Sequence, residues 1–349
     1  MEAAPGVNTA SILVSAQIND YAMAKCGHSA AVYYRDAGIF LDSIIKVSYE
    51  LGFDFVRPVY DVYNIEAEAL GQRLRWDPFL MPQIDTQNPL IHDLQELEKI
   101  KTPSIPDSGR MGFALKVYEL YQTHCHDKPT MIICHPFDLA ISCRGYEGFV
   151  YDMMYDRERA HDYLHRLAEY VSVPWLQTLR RLLGLEKDIA YAATAWATIP
   201  NVTCEIMREF VVPYTQLLNA KCGEVLSAGM GGERFLKNPL DLLEIQRMTN
   251  PYVVSAHEPN VSAIGLATYL DFALANKMDL LIGISPGFLV EKSPVEIADK
   301  VREYISAVKC RCGLHFDLAY VPPNLPEERL RVLIETVRTA RGSGLNSSG

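Results

Sequence analysis

Short apolar runs alternate with helix-length amphipathic segments from residue 38 almost to the C-terminus, and this alternation restricts the fold more than any other feature. Gly38–Leu51 carries apolar residues at helical spacing, Gly52 ends it, and the run Phe53–Tyr60 then reads as a strand. Further runs at Thr130–Cys134, Ile189–Thr194, Glu224–Ala228, Tyr252–Ala256, Leu280–Ile284 and Leu314–Leu318 have the length of buried strands. Between them lie helix-length segments at Met111–Thr123, Asp156–Leu185, Cys204–Ala220, Pro239–Met248, Ala263–Ala275, Pro294–Val308 and Pro326–Thr339. Pro294 and Pro326 stand where a first helical turn tolerates a missing N–H, and Pro174 must kink or divide the segment 156–185. Seven or eight such βα units predict a parallel sheet. No glycine-rich dinucleotide turn follows the first strand, where the chain reads RPVYDVYNIEAEALG, so a (β/α)8 TIM-like barrel is expected rather than a doubly wound sheet. The barrel is assigned to residues 25–341, with 1–24 an N-terminal extension and 342–349 a flexible tail.

Charge narrows the partners. With 33 Lys and Arg against 43 Asp and Glu, the net charge is −10 and no basic run exists to track phosphates, so neither nucleic acid nor an anionic membrane is expected. The first twenty residues lack a basic segment and a long apolar span, so neither a signal peptide nor a membrane anchor is expected, and a cytoplasmic location follows. The eight cysteines are scattered as in a reduced protein.

A barrel places its chemistry at the C-terminal ends of its strands. By that rule the candidates are Tyr60, Asp61 and Tyr63 after the first run, His135 after the second, Trp196 after the third, Met230 and Glu233 after the fourth, His257 and Glu258 after the fifth, and Tyr320 after the last. Asp61 suits a polar anchor or proton donor, though an Asp there also caps a following helix. His257 titrates near neutrality and Glu258 could tune it, but adjacent residues of an extended chain face opposite ways. His135, beside Pro136, also reads as a structural residue. Tyr60, Tyr63 and Tyr320 are phenolic donors for an ether oxygen, while Trp196 and Met230 suit a pocket wall or plain core. Two clusters, His124-Cys125-His126 and Cys310-x-Cys312-x-x-His315, have metal-binding composition but precede strands, on the face opposite the expected site.

Several stretches resemble the uroporphyrinogen decarboxylase superfamily. Tyr60-Asp61-Val62 followed by Glu66-Ala67-Glu68-Ala69-Leu70-Gly71 is similar to its first barrel segment, and Cys134-His135-Pro136-Phe137-Asp138-Leu139-Ala140 to its second. Gly283-Ile284-Ser285-Pro286 and Ala319-Tyr320-Val321-Pro322-Pro323 resemble its last two strand ends, and Phe210–Tyr214 its helix ending in Pro-Tyr. The resemblance implies one of two chemistries: tetrapyrrole decarboxylation, or methyl transfer to or from a corrinoid on a separate protein. Decarboxylases of the family resemble one another in an N-terminal arginine-rich segment, yet no Lys or Arg precedes Lys25 here. Thiol methyltransferases of the family resemble one another in a His-x-Cys…Cys zinc site, and the matching positions here are Ala228, Met230 and Ala319. No zinc is therefore expected. The resemblance then implies the reverse type of enzyme, which moves a methyl group from a small methoxylated substrate, an aryl methyl ether, to the cob(I)alamin of a partner corrinoid protein. Such a barrel leaves room for a homodimer. A zinc-dependent methylcorrinoid:thiol methyltransferase and a decarboxylase-like tetrapyrrole enzyme stand as the alternatives.

Overall fold

A computed structural model describes residues 11–61 and 63–344. Val62 of the first motif and residues 345–349 of the expected tail lie outside the described residues. The chain groups into two compact units, one of Met1–His28, Asp42–Pro58 and Gly231–Gly349, the other of Ser29–Leu41 and Val59–Met230.

The first unit holds a four-stranded parallel sheet in the order β1 (Ile12–Ala16), β9 (Leu314–Leu318), β8 (Asp279–Gly283), β7 (Val253–His257). Residues 1–24, set apart by the sequence as an extension, thus include a sheet strand: Ile12–Ala16 pairs in register with Leu314–Leu318. The expected tail is shortened too, because the closing helix Glu327–Gly344 runs past residue 342. In β7 the residues alternate strictly between half-buried and buried, in β8 they do so over the first four, and β9 is buried at every position but His315. The helix Pro294–Val308 starts as its sequence demands: Ser293 caps it, Glu296 returns the bond in a full capping box, and Pro294 occupies the first turn.

The second unit holds a three-stranded parallel sheet, β4 (Met131–Cys134), β5 (Ala190–Ala193), β6 (Val225–Ala228), and a short antiparallel pair, β2 (Leu74–Arg75) with β3 (Gln83–Ile84). Pro174 divides its segment as expected, and it does so through a widened turn at Ala168–Ser172 that joins the helices Arg157–Leu167 and Val173–Leu183. No helix among the described residues is long and apolar enough to cross a membrane.

The expected strand Phe53–Tyr60 does not form a ladder. Its residues satisfy strand edges with side chains instead. In the first unit Asp54 donates its N–H to Val14 O at 3.0 Å and accepts the Val14 N–H on its carboxylate at 2.7 Å, while Arg341 grips the same carboxylate with two bonds. In the second unit the Tyr60 hydroxyl donates to Ile132 O at 2.8 Å, and the Tyr118 hydroxyl accepts the Ile132 N–H at 2.9 Å. The Glu66 carboxyl accepts the Cys134 N–H at 2.8 Å. Pro58 lacks the N–H a ladder would need, and acidic and phenolic side chains supply the missing partners.

Two outcomes follow from this edge. Tyr118→Phe leaves the half-buried Ile132 N–H without its acceptor and is expected to lower stability by about 1 kcal/mol in denaturant titration. Glu66 is fully buried, and burial pushes its carboxyl from 4.5 up to about 8. The native state then holds a proton that the unfolded chain releases, so the Glu66 contribution is complete below about pH 4.5 and is lost as pH rises to about 8. Glu66→Gln should flatten that window in the denaturation midpoint measured against pH; an unchanged slope would show Glu66 to be ionised already.

Candidate functional site

A cavity of about 710 Å³ opens in the second unit at the C-terminal ends of β4 and β5. That size suits a ligand of one or two rings. Four pieces of chain build its wall. Ile141, Ser142 and Arg144 come from the helix Pro136–Arg144 that follows β4, with Tyr146 and Glu147 from the next helix, Tyr146–Tyr155. Ala195 and Trp196 come from the turn after β5, and Arg75, Gln83 and Ile84 from the antiparallel pair. Tyr63 and Asn64 complete it.

Trp196 is 37% exposed and stacks on Tyr146, with ring centroids 5.3 Å apart and planes at 22°. The Trp196 N–H donates to Asp138 Oδ1 at 3.0 Å, which pins the turn to the buried start of the helix Pro136–Arg144. Arg144 is held by Asp152, with Nε on Oδ2 at 2.8 Å and Nη2 on Oδ1 at 3.3 Å. Its guanidinium lies over Gly148, where a Cβ would come within 2.6 Å of Nη1. Arg75 is exposed on the cavity rim. The Tyr63 phenol is pushed well above its ordinary value, first by burial and then by Asp138 and Cys134.

Beneath this wall lies a buried ion pair. Arg110 meets Asp61 with two bonds, Nη1 to Oδ1 at 2.9 Å and Nη2 to Oδ2 at 2.6 Å, and its Nε reaches Glu68 at 2.6 Å. Asn64 Nδ2 donates to Asp61 Oδ2 at 3.1 Å. Burial pushes the Asp61 carboxyl upward, and the Arg110 guanidinium pulls it back. Both Asp61 oxygens are thus engaged by the protein.

The expected site residues separate into several places. Tyr63 and Trp196 meet on the cavity wall. Tyr60 is fully buried and its hydroxyl is given to β4. His135 is also fully buried, and its Nδ1 accepts the Phe137 N–H at 3.1 Å as a helix cap. That leaves the proton on Nε2, which donates to Thr215 Oγ1 at 3.2 Å. Burial lowers this ring to about 3, so it stays neutral. Met230 is buried after Gly229, whose positive φ of 109° brings backbone against Ala195.

The remaining candidates belong to the first unit. Glu233 is buried and bonded to Gln246 Nε2 at 2.7 Å and to the Tyr269 hydroxyl at 3.2 Å. His257 closes β7, and its ring fills the space over Gly283 of β8, where a Cβ would fall 1.8 Å from Nδ1. Burial lowers its pKa, opposed by Asp317 and reinforced by Arg57, which pairs with Asp317. Glu258 turns the other way: it accepts from Ser262 N at 3.1 Å, from Ser262 Oγ at 2.9 Å and from the Tyr304 hydroxyl. The two neighbours thus point apart, as extended geometry requires. Tyr320 donates to Asp20 at 3.0 Å. Among the described residues no three His, Cys, Asp or Glu side chains gather as a metal-ligating set, so neither sulfur-and-histidine cluster converges.

Asp138, Arg110, Tyr146 and Arg57 are absent from the sequence-derived site. Asp138 alone carried a local signal, an acidic residue in an otherwise apolar helix start. Arg110 lies 49 residues from Asp61, too far for any spacing to pair them.

The fold is shared with a methyltransferase from Methanosarcina mazei, at 15% identity and a TM-score of 0.72, covering 97% of this chain and 95% of that one. The likeness shows the α/β fold of TIM-barrel type that the sequence predicts. No curated protein matches the sequence significantly. The uroporphyrinogen decarboxylase (URO-D) family model matches residues 2–340. Fold, strand-end motifs and near-complete coverage agree, and the chain belongs to the uroporphyrinogen decarboxylase family.

Proposed function

We propose that the chain is a methyltransferase that takes the methyl group of a small methoxylated aromatic and passes it to the cob(I)alamin of a partner corrinoid protein, the first step of O-demethylation. The observation that carries this reading is the cavity of about 710 Å³ with stacked Trp196 and Tyr146 and the Tyr63 phenol on its wall. An aromatic ether finds there a flat apolar surface and a hydroxyl donor for its oxygen. The fold shared with a protein described as a methyltransferase supports the reading.

The partner's reduced cobalt is a co-substrate and supplies the nucleophile. What this chain supplies is orientation, exclusion of water and help for the departing oxygen. A phenolate leaves with a pKa of about 10, so a donor at that oxygen lowers the barrier. A zinc-activated thiol is a poor fit, because Ala228, Met230 and Ala319 offer two methyl groups and one thioether where zinc needs thiolate and imidazole.

The test is a methyl-transfer assay with a corrinoid protein reduced to cob(I)alamin and a panel of aryl methyl ethers, methanol, methylamines and methyl thioethers. Aryl ethers are expected to react, and loss of the cob(I)alamin spectrum reports it. Inactivity with every donor overturns the proposal. Trp196→Ala should raise KM for an aryl ether about tenfold, the equivalent of ~1.4 kcal/mol, with kcat within about twofold. An unchanged KM would place the ring elsewhere.

A further inference from the structure

Arg75 is a cation without a counterion on the wall of the cavity. It lies exposed on β2, and among the described residues no hydrogen bond or ion pair engages its guanidinium. The acids nearest to it along the ribbon are committed elsewhere. Asp77 Oδ1 accepts the Phe79 N–H at 2.7 Å, and Asp85 accepts the Gln87 N–H at 3.3 Å and the Asn88 side-chain amide at 2.7 Å, so each carboxylate closes its own turn. The other charges on the wall are answered. Arg144 is paired with Asp152, and Glu147 stands exposed in the first turn of the helix Tyr146–Tyr155, where the positive end of the helix dipole offsets an acid. One guanidinium is left over.

The two-stranded ribbon fixes where that guanidinium is presented. Arg75 pairs in register with Gln83 of β3, so the two side chains leave the same side of the ribbon, and both line the cavity. The Gln83 amide also has no partner among the described residues. Buried Gln72 holds the base of the ribbon: its Nε2 reaches Asp85 O and Asn88 O, each at 3.2 Å, and its Oε1 accepts the Leu90 N–H at 2.7 Å. Asn64, itself bonded to Asp61, donates to Pro82 O at 2.5 Å. A ligand that uses Arg75 and Gln83 therefore meets a backbone already in place.

We infer that Arg75 and Gln83 bind a carboxylate carried by the aromatic substrate, which makes the methyl donor a methoxylated aromatic acid rather than a neutral ether. The inference rests on the methyl-transfer reading for the ether and adds its charge. A guanidinium offers two parallel N–H groups to the two oxygens of a carboxylate, and the Gln83 amide offers a further donor. One free cation matches the single charge of a carboxylate, whereas a phosphate would bring close to two. The ring of the same molecule meets the stacked Trp196 and Tyr146 elsewhere on the wall.

Calorimetric titration without any corrinoid protein tests the binding directly. The wild type should bind para-methoxybenzoate about tenfold more tightly than para-methoxybenzamide, its neutral counterpart, or para-methoxybenzylamine, its cationic one. Arg75→Gln should erase the preference for the acid, and Arg75→Lys, which keeps the charge without the fork, should retain part of it. Equal binding of acid and amide, tighter binding of the amine, no binding of any of the three, or a preference that survives Arg75→Gln overturns the inference. In the methyl-transfer assay the acid should show a lower KM than the amide. Turnover confined to neutral ethers overturns the inference and leaves methyl transfer standing. Binding of the acid through Arg75, with no ether reacting, upholds the carboxylate site and overturns methyl transfer alone.

Discussion

One guanidinium organises the second unit. Arg110 bonds to both oxygens of Asp61, to Glu68 and, at 3.4 Å, to Tyr34 O, and its planar face lies 5.2 Å from the Trp76 ring. Burying such a pair is costly unless nearly every N–H finds an acceptor, and here the fork is almost fully used. Gly109 makes the approach feasible: its φ is +53° and a Cβ would fall 2.9 Å from Ala69 N. The cavity wall inherits its position from this hub. Tyr63 and Asn64 stand two and three residues after Asp61, and Arg75 stands beside Trp76. Asp61, which the sequence offers as a polar anchor or proton donor for a substrate, is instead paired with Arg110 and anchors its own surroundings.

The same economy governs the sheet edges. A segment holding Pro58 cannot complete a ladder, and the chain supplies the missing partners with Asp54, Tyr60, Tyr118 and Glu66. Each is a polar group placed where a backbone group was due. This explains why the aromatic and acidic residues near a strand end divide so unevenly between structure and site. Tyr60 and Tyr63 share a residue type and a neighbourhood, but one faces Ile132 O and the other the cavity.

Sequence reading recovers what is periodic and local. The helix starts at Ser293-Pro294 and the break at Pro174 follow from backbone chemistry within a few residues, and the strand Leu314–Leu318 from its apolar run. It missed β1 because five residues with one polar member look like any short apolar stretch until a partner 300 residues away is known. It missed β2 and β3 because two residues carry no period. Among site residues, Tyr63 and Trp196 were legible from their place after a strand. His135 and Glu233 were not separable from them, since a polar residue in apolar surroundings gives one signal whether its partner is substrate or protein. The partners Thr215, Gln246 and Tyr269 are set by the fold alone.

The contact between His257 and Gly283 has a bearing on how this chain can diverge. The imidazole occupies the volume that any side chain at 283 would need, across a parallel register that places the two residues side by side. Neither position is free to drift while the other stays. A descendant that acquires alanine at 283 must already carry a smaller residue at 257, so the pair should be inherited together or replaced together, whatever the histidine does.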